Sequence, residues 1–230
     1  MKRLLCAVGC FVAVLTTGNF CNADIILDGV NQMTTLTLAG SELRTQDLVI
    51  NSDNGGGVVD YNGNNVFAQT TTTTIDIEAG VFDATDVPTV FFGNGTNGNH
   101  TFTISGGSAE FDGLGIGRDA ATGRLVISGG AVSVGGMLEF DVTNDPGGGR
   151  IDFTTGSTGT LDVTGLVADD FEAFYESGDI TVDGIAGATG TFGDFFQVNG
   201  STLSLNAVPE PSSLALLGLG VVGIVVRRRK

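Results

Sequence analysis

Tryptophan is absent from the 230-residue chain, and lysine occurs only as Lys2 and Lys230. The three cysteines are Cys6, Cys10 and Cys21, and the one histidine is His100. Beyond residue 21 the chain therefore has no disulfide, no thiol nucleophile and no cysteine metal site. A single histidine makes a zinc site poor, since zinc takes its ligands from several Cys, His and carboxylate groups. His100 sits in Gly98-Asn-His-Thr101, which reads as a turn with a surface histidine. A serine hydrolase would need a nucleophile beside it, and residues 24–207 contain no Gly-x-Ser-x-Gly elbow. Without tryptophan, and with only Tyr61 and Tyr175 as tyrosines, an exposed aromatic platform for sugars has few candidates.

Positive charge is also missing from the middle of the chain. Six of the ten basic residues are Lys2, Arg3, Arg227, Arg228, Arg229 and Lys230. Residues 24–207 keep only Arg44, Arg118, Arg124 and Arg150 against 25 carboxylates, a net charge of −21. Such a surface repels nucleic acid and anionic membranes, which excludes nucleic acid as a partner. The carboxylates are scattered singly, so the segment does not read as an acidic disordered tail.

Three regions follow from the pattern along the chain. Residues 1–23 read as a signal peptide: Lys2 and Arg3, the apolar run Leu4–Leu15, then Cys21-Asn-Ala23 as a small-residue cleavage site. Cleavage between Ala23 and Asp24 would make Asp24 the mature N-terminus and implies the Sec export machinery as a partner. Residues 24–207 form an acidic, glycine-rich body holding 32 of the 37 glycines. Residues 208–230 form a tail with three parts: Pro209-Glu210-Pro211, an uncharged apolar run Ser212–Val226, and Arg227-Arg228-Arg229-Lys230. Fifteen residues give about 22 Å of helix, against a bilayer core of about 30 Å. The run is a short transmembrane helix whose basic end stays cytoplasmic and snorkels toward headgroups. Pro209 and Pro211 keep the preceding backbone extended.

The body alternates apolar and polar residues with period two, as in Phe102-Thr-Ile104, Leu125-Val-Ile127, Ile151-Asp-Phe153 and Leu161-Asp-Val163. Turn residues separate these segments, so the body is all-β. Phe102-Thr-Ile-Ser-Gly-Gly-Ser-Ala-Glu-Phe111 aligns with Leu125-Val-Ile-Ser-Gly-Gly-Ala-Val-Ser-Val134 at an offset of 23. Ile77-Glu-Ala-Gly-Val-Phe82 and Leu38-Ala-Gly-Ser-Glu-Leu43 read as weaker copies. Units of 23–27 residues cannot bury an apolar face alone and must stack, which predicts a parallel β-solenoid, or β-helix. The alternative is a β-sandwich, which short strands with glycine turns also suit. Thr70–Thr74 reads as an edge strand or linker. Ala168–Ser177 predicts a short helix capped by Asp169 or Asp170, plugging the end of the core with Phe171, Phe174 and Tyr175. Ile180–Leu205 is expected to close the domain as a hairpin-like piece around Phe192, Phe195 and Phe196.

The tail resembles the PEP-CTERM sorting signal of exported bacterial surface proteins, on Pro209, Glu210, Pro211, the apolar run and Arg227, Arg228 and Arg229. The resemblance implies an exosortase-type enzyme that reads and removes the tail, a transient inner-membrane anchor, and a final place on the cell surface or in an extracellular matrix beside polysaccharide. The Ile-Ser-Gly-Gly coils of Phe102–Val163 are similar to the β-helical repeats of secreted bacterial surface proteins. β-Helical pectinolytic hydrolases pair aspartates with a Gly-His-Gly and an Arg-x-Lys element. Only Asp169-Asp170 matches here. No catalytic or metal residue is assigned and no cofactor is expected. Calcium is the one ion with suitable oxygens, on Asp53–Asn64 read as a flexible loop; the turn at Gly113–Asp119 lacks the tandem Gly-Gly-x-Gly-x-Asp repeat of calcium-binding β-rolls, and plain turn residues are the preferred reading of both. The expectation is a non-enzymatic surface or matrix protein. The alternatives are a carbohydrate-binding adhesin and a β-helical polysaccharide hydrolase or lyase.

Overall fold

The computed structural model describes residues 25–27, 35–38, 48–50, 57–61, 66–67, 74–94, 99–118, 121–140, 148–185 and 190–206. Its strands wind as successive coils. The first coil holds β1 (Ile25–Leu27) and β2 (Thr35–Leu38). Four three-stranded coils follow: β3 (Leu48–Ile50), β4 (Gly57–Tyr61) and β5 (Val66–Phe67); β6 (Thr74–Ile77), β7 (Gly80–Ala84) and β8 (Val90–Asn94); β9 (Asn99–Ile104), β10 (Ser108–Phe111) and β11 (Leu114–Arg118); β12 (Thr122–Ile127), β13 (Ala131–Val134) and β14 (Leu138–Phe140). The last part of the body has β15 (Arg150–Phe153), β16 (Thr160–Val163), helix α1 (Ala168–Ser177), β17 (Ile180–Val182), helix α2 (Phe192–Phe195), β18 (Phe196–Asn199) and β19 (Thr202–Leu205).

Each coil contributes one strand to each face of a three-sided solenoid. The first sheet runs β1-β3-β6-β9-β12-β15-β17, the second β2-β4-β7-β10-β13-β16-β19-β18, and the third β5-β8-β11-β14. Among these strands pairing is parallel except where β19 meets β16 and β18. Parallel pairing of strands one coil apart is what a solenoid requires, and it rules out the antiparallel sandwich. The predicted 23-residue repeat is the register itself, with Phe102 opposite Leu125 and Ile104 opposite Ile127. Coil length runs from 23 residues (Ile25 opposite Leu48) to 29 (Ile151 opposite Ile180), because the longest coil contains α1. One proposed copy is out of frame. Leu38 ends a strand of the second sheet, opposite Tyr61, whereas Ile77 lies in the first sheet. The residue equivalent to Ile77 one coil earlier is Ile50.

Inward residues stack coil on coil. Ile50, Ile77, Ile104, Ile127 and Phe153 form one continuous, fully buried row on the first sheet. Burying each such side chain is worth about 1.5–3 kcal/mol. The three faces meet on aromatic rings at mid-height: Phe102 lies 5.5 Å from Phe82, 5.9 Å from Phe92 and 6.0 Å from Phe111, all near edge-on. The Ser-Gly-Gly turns between the first two sheets stack just as closely. A Cβ on Gly106 would lie 2.2 Å from the Glu78 carbonyl oxygen, and one on Gly129 2.2 Å from that of Ser105. Gly107 and Gly130 take φ near +70°, which favours glycine.

The C-terminal end is closed by different chemistry. Helix α1 spans Ala168–Ser177, and its Phe174 ring packs 5.1 Å from Phe140 of β14, so the helix sits where a fifth strand of the third sheet would go. Its N-cap is Val167 rather than an aspartate. Asp170 acts from inside the first turn, accepting the Val167 N–H at 3.0 Å. Gly178, left-handed at φ 90°, ends the helix. Phe171 and Tyr175 are buried, and Tyr175 touches Phe192, Phe195 and Phe196. The closing hairpin is β18–β19, with Asp194 accepting both the N–H and hydroxyl of Thr191 at the start of α2. Ile180–Val182, expected in that hairpin, is instead the last parallel strand of the first sheet.

Candidate functional site

Ala23, Asp24, Pro209, Glu210, Pro211, Arg227, Arg228 and Arg229 lie outside the described residues, as do the expected signal helix and transmembrane helix. Among the described residues no helix is long and apolar enough to cross a membrane.

Three sequence expectations for the body are corrected. His100 is neither in a turn nor on the surface. It lies inside β9, opposite Gly123, and is 1% exposed with its ring 6.3 Å from Phe92. Neither imidazole nitrogen has a hydrogen-bond partner among the described residues. Burial lowers its pKa from the ordinary 6.5 to about 4, because an apolar site disfavours the cation. Next, the Asp53–Asn64 segment is not all loop. Gly57–Tyr61 is strand β4, with Val59 and Tyr61 buried. Alternation then directs Asp60 to the outer face, where it is the register partner of Asp83. Finally, the supposed turn after Gly113 is strand β11. Among the described residues no three His, Cys, Asp or Glu side chains converge on a point that could hold a metal ion.

Carboxylates that lie close together in the sequence take different places in the fold. Asp170 holds the first turn of α1, and Asp169 is exposed beside it. Glu110 takes a hydrogen bond from the Ser108 hydroxyl at 3.3 Å, and Asp112 lies exposed after β10. Asp141 and Asp145 fall outside the described residues. Among the described residues one arginine pairs with a carboxylate: Arg124 with Asp152 on the outer face of the first sheet.

That pair is the most constrained polar group of the described body. Asp152 is fully buried although the Ile151-Asp-Phe153 alternation points it away from the core. The Thr181 hydroxyl donates to it at 2.7 Å and the Gly184 N–H at 2.6 Å. A buried charge persists only when paired and hydrogen-bonded, and Asp152 has both. Next to it, Asp183 takes φ 51° and accepts the hydroxyl and N–H of Thr155. The Thr155 hydroxyl, then its N–H, then nearby Arg124 hold the Asp183 carboxyl below the usual range. These contacts clamp the last strand of the first sheet onto the preceding coils. The sequence signal was slight: an aspartate between Ile151 and Phe153, and an arginine one coil away.

The outer face of the second sheet carries a row with one polar side chain per coil. Asp60, Asp83, Glu110, Ser133 and Asp162 are successive register partners. Strand spacing sets them about 4.8 Å apart.

No curated protein and no solved structure matches the chain. One family model does, over residues 207–230: the PEP-CTERM protein-sorting motif. The match begins one residue before the tail read from the sequence and covers its tripeptide, apolar run and basic end. The motif marks an exported, envelope-associated protein. On this evidence the chain joins a parallel β-solenoid body to a PEP-CTERM protein-sorting motif.

Proposed function

We propose that this chain is a non-enzymatic structural protein of the cell surface or extracellular matrix, secreted through its N-terminal signal and sorted by an exosortase-type enzyme that reads Pro209-Glu210-Pro211. The observation that carries the proposal is the sorting motif at residues 207–230. In this reading Ser212–Val226 holds the chain in the inner membrane with Arg227–Arg229 on the cytoplasmic side. Processing then releases the acidic body to extracellular polysaccharide. Two features support a structural role. The body repeats one coil many times, giving long faces of uniform chemistry. Its most buried carboxylate, Asp152, is spent on clamping a strand.

Changing Pro209 and Glu210 to Ala leaves the apolar run intact, so simple anchoring survives while enzyme recognition fails. In the native host, uncleaved protein should accumulate in the membrane fraction. Mutant and parent of identical size and location would refute sorting. The non-enzymatic part is tested by release of reducing ends or unsaturated products from pectin or alginate, with and without Ca²⁺. Turnover that disappears on changing Asp169 and Asp170 to Asn would make the protein an enzyme.

A further inference from the structure

Three of the four arginines of residues 24–207 leave one corner of the solenoid, between the third sheet and the first. Glycines bring them there. Gly117, Gly123 and Gly149 each precede one of these arginines, and their backbones nearly touch. A Cβ on Gly123 would lie 2.9 Å from the Gly117 nitrogen; one on Gly149 would lie 1.9 Å from the Ile116 carbonyl oxygen and 3.1 Å from the Gly117 nitrogen. Arg118, Arg124 and Arg150 therefore start close together, Arg124 and Arg150 as direct register partners. Arg124 is committed to Asp152. Arg118 lies over the Phe91 ring at 4.7 Å. Among the described residues neither Arg118 nor Arg150 has a carboxylate partner, and the Nε of each is buried and unbonded. In a body with 25 carboxylates and four arginines, two guanidiniums without a carboxylate partner among the described residues make a positive site on a negative molecule.

A matching surface lies on the same chain. On the second sheet Asp83 and Glu110 are register partners, and Asp162 follows after Ser133. The hydroxyls that donate to them are neutral: Thr85 to Asp83, Ser108 to Glu110, Ser201 to Asp162. Arg124 and Arg150 on one surface, and Asp83 and Glu110 on the other, have the spacing of adjacent strands, about 4.8 Å, and Asp162 stands two strands from Glu110. On a three-sided solenoid, the corner between the third and first sheets is opposite the second sheet. One molecule cannot pair its own two surfaces.

We infer that the Arg118–Arg124–Arg150 corner is a self-association site whose occupant is the carboxylate row on the second sheet of another copy of this chain. The two surfaces differ, so the contact is heterologous and propagates from copy to copy. Salt sets the balance. The −21 body repels its copies over a Debye length of about 30 Å at 0.01 M salt, and that length falls to about 8 Å at 0.15 M, leaving contact pairs in place. At about 1 M salt the contact pairs are screened as well.

The test is sedimentation velocity of the purified full-length chain at about 0.01, 0.15 and 1 M salt. Assemblies are expected at the middle value, with monomer at the other two. Arg118→Gln with Arg150→Gln, and separately Asp83→Asn with Glu110→Gln, should each weaken association about tenfold, the scale of two lost charge pairs. Mixing the two double variants should give a one-to-one complex and nothing larger, because each supplies the surface the other lacks. The carboxylate variant relieves like-charge repulsion and keeps its arginines, so it decides the matter even where the arginine variant folds poorly. Monomer at every salt, variants that assemble like the parent, or a mixture that does not pair would overturn the inference. Polygalacturonate added as a probe separates the other occupant: arginine-dependent binding by a chain that stays monomeric assigns the corner to an anionic glycan and refutes self-association.

Discussion

Acidification should destabilise this fold through one imidazole. His100 is 1% exposed, and burial lowers its pKa from 6.5 to about 4. The unfolded chain therefore binds a proton between those two values that the folded chain refuses. Stability rises with pH wherever the unfolded state holds more protons. The contribution of neutral His100 is intact above pH 6.5, falls as pH drops through the window, and levels off below about 4. Each pKa unit is worth about 1.4 kcal/mol, so the loss at pH 4 is about 3 kcal/mol, a large part of a typical domain's stability. The body also carries 25 carboxylates, so the raw pH profile is not diagnostic. Urea unfolding of the parent and of His100→Leu, at pH 7.5 and pH 4, isolates the imidazole because the carboxylates are common to both. The parent should lose about 3 kcal/mol more than the variant. Parallel profiles, with a constant difference between the two proteins, would refute the buried neutral histidine and restore the surface one expected from the sequence.

Other perturbations test the coil register and the clamp. Ile104→Asp and Ile127→Asp each bury an uncompensated charge at equivalent positions of adjacent coils and should cost several kcal/mol in thermal or urea unfolding; variants that melt like the parent would show that these rows are not core. Asp152→Ala removes the partner of the half-exposed Arg124 and the acceptor for Thr181 and Gly184, an expected loss of about 1–3 kcal/mol, measured by the shift in urea midpoint. Gly129→Ala drives a methyl to 2.2 Å from the Ser105 carbonyl oxygen and should cost about 1–3 kcal/mol. Gly193→Ala, with nothing within 4 Å, should stay within about 0.5 kcal/mol of the parent; equal effects at the two glycines would contradict the stacked turns.

Much of the architecture was legible because a solenoid writes its contacts along the chain. A residue's spatial neighbour is one coil away, so the Phe102 and Leu125 segments align in sequence for the same reason that they pair in space. The helix at Ala168–Ser177 was visible from its own aromatic spacing. The weaker copy at Leu38 failed because an apolar-Ala-Gly pattern is short enough to occur on any face, and only pairing shows which sheet it joins. His100 was misplaced for a related reason. Gly98-Asn-His-Thr101 has turn chemistry, but its strand begins at Asn99 because β12 extends back to Thr122 and offers it a partner.

The sequence alone determined the address and the class of fold. The sorting motif is a linear signal, and a period-two pattern repeated at nearly constant spacing leaves few ways to bury its apolar face. Tertiary structure decided everything that depends on residues from different coils meeting: the buried imidazole beside Phe92, the Arg124–Asp152–Thr181 clamp, the arginines gathered at a glycine corner, and the carboxylate row on the opposite face. In the strand pattern Asp152 is one more outward polar residue. Burial and charge pairing are set by what the next coil places beside a side chain, and that neighbour lies 23 to 29 residues away at an offset that differs from coil to coil.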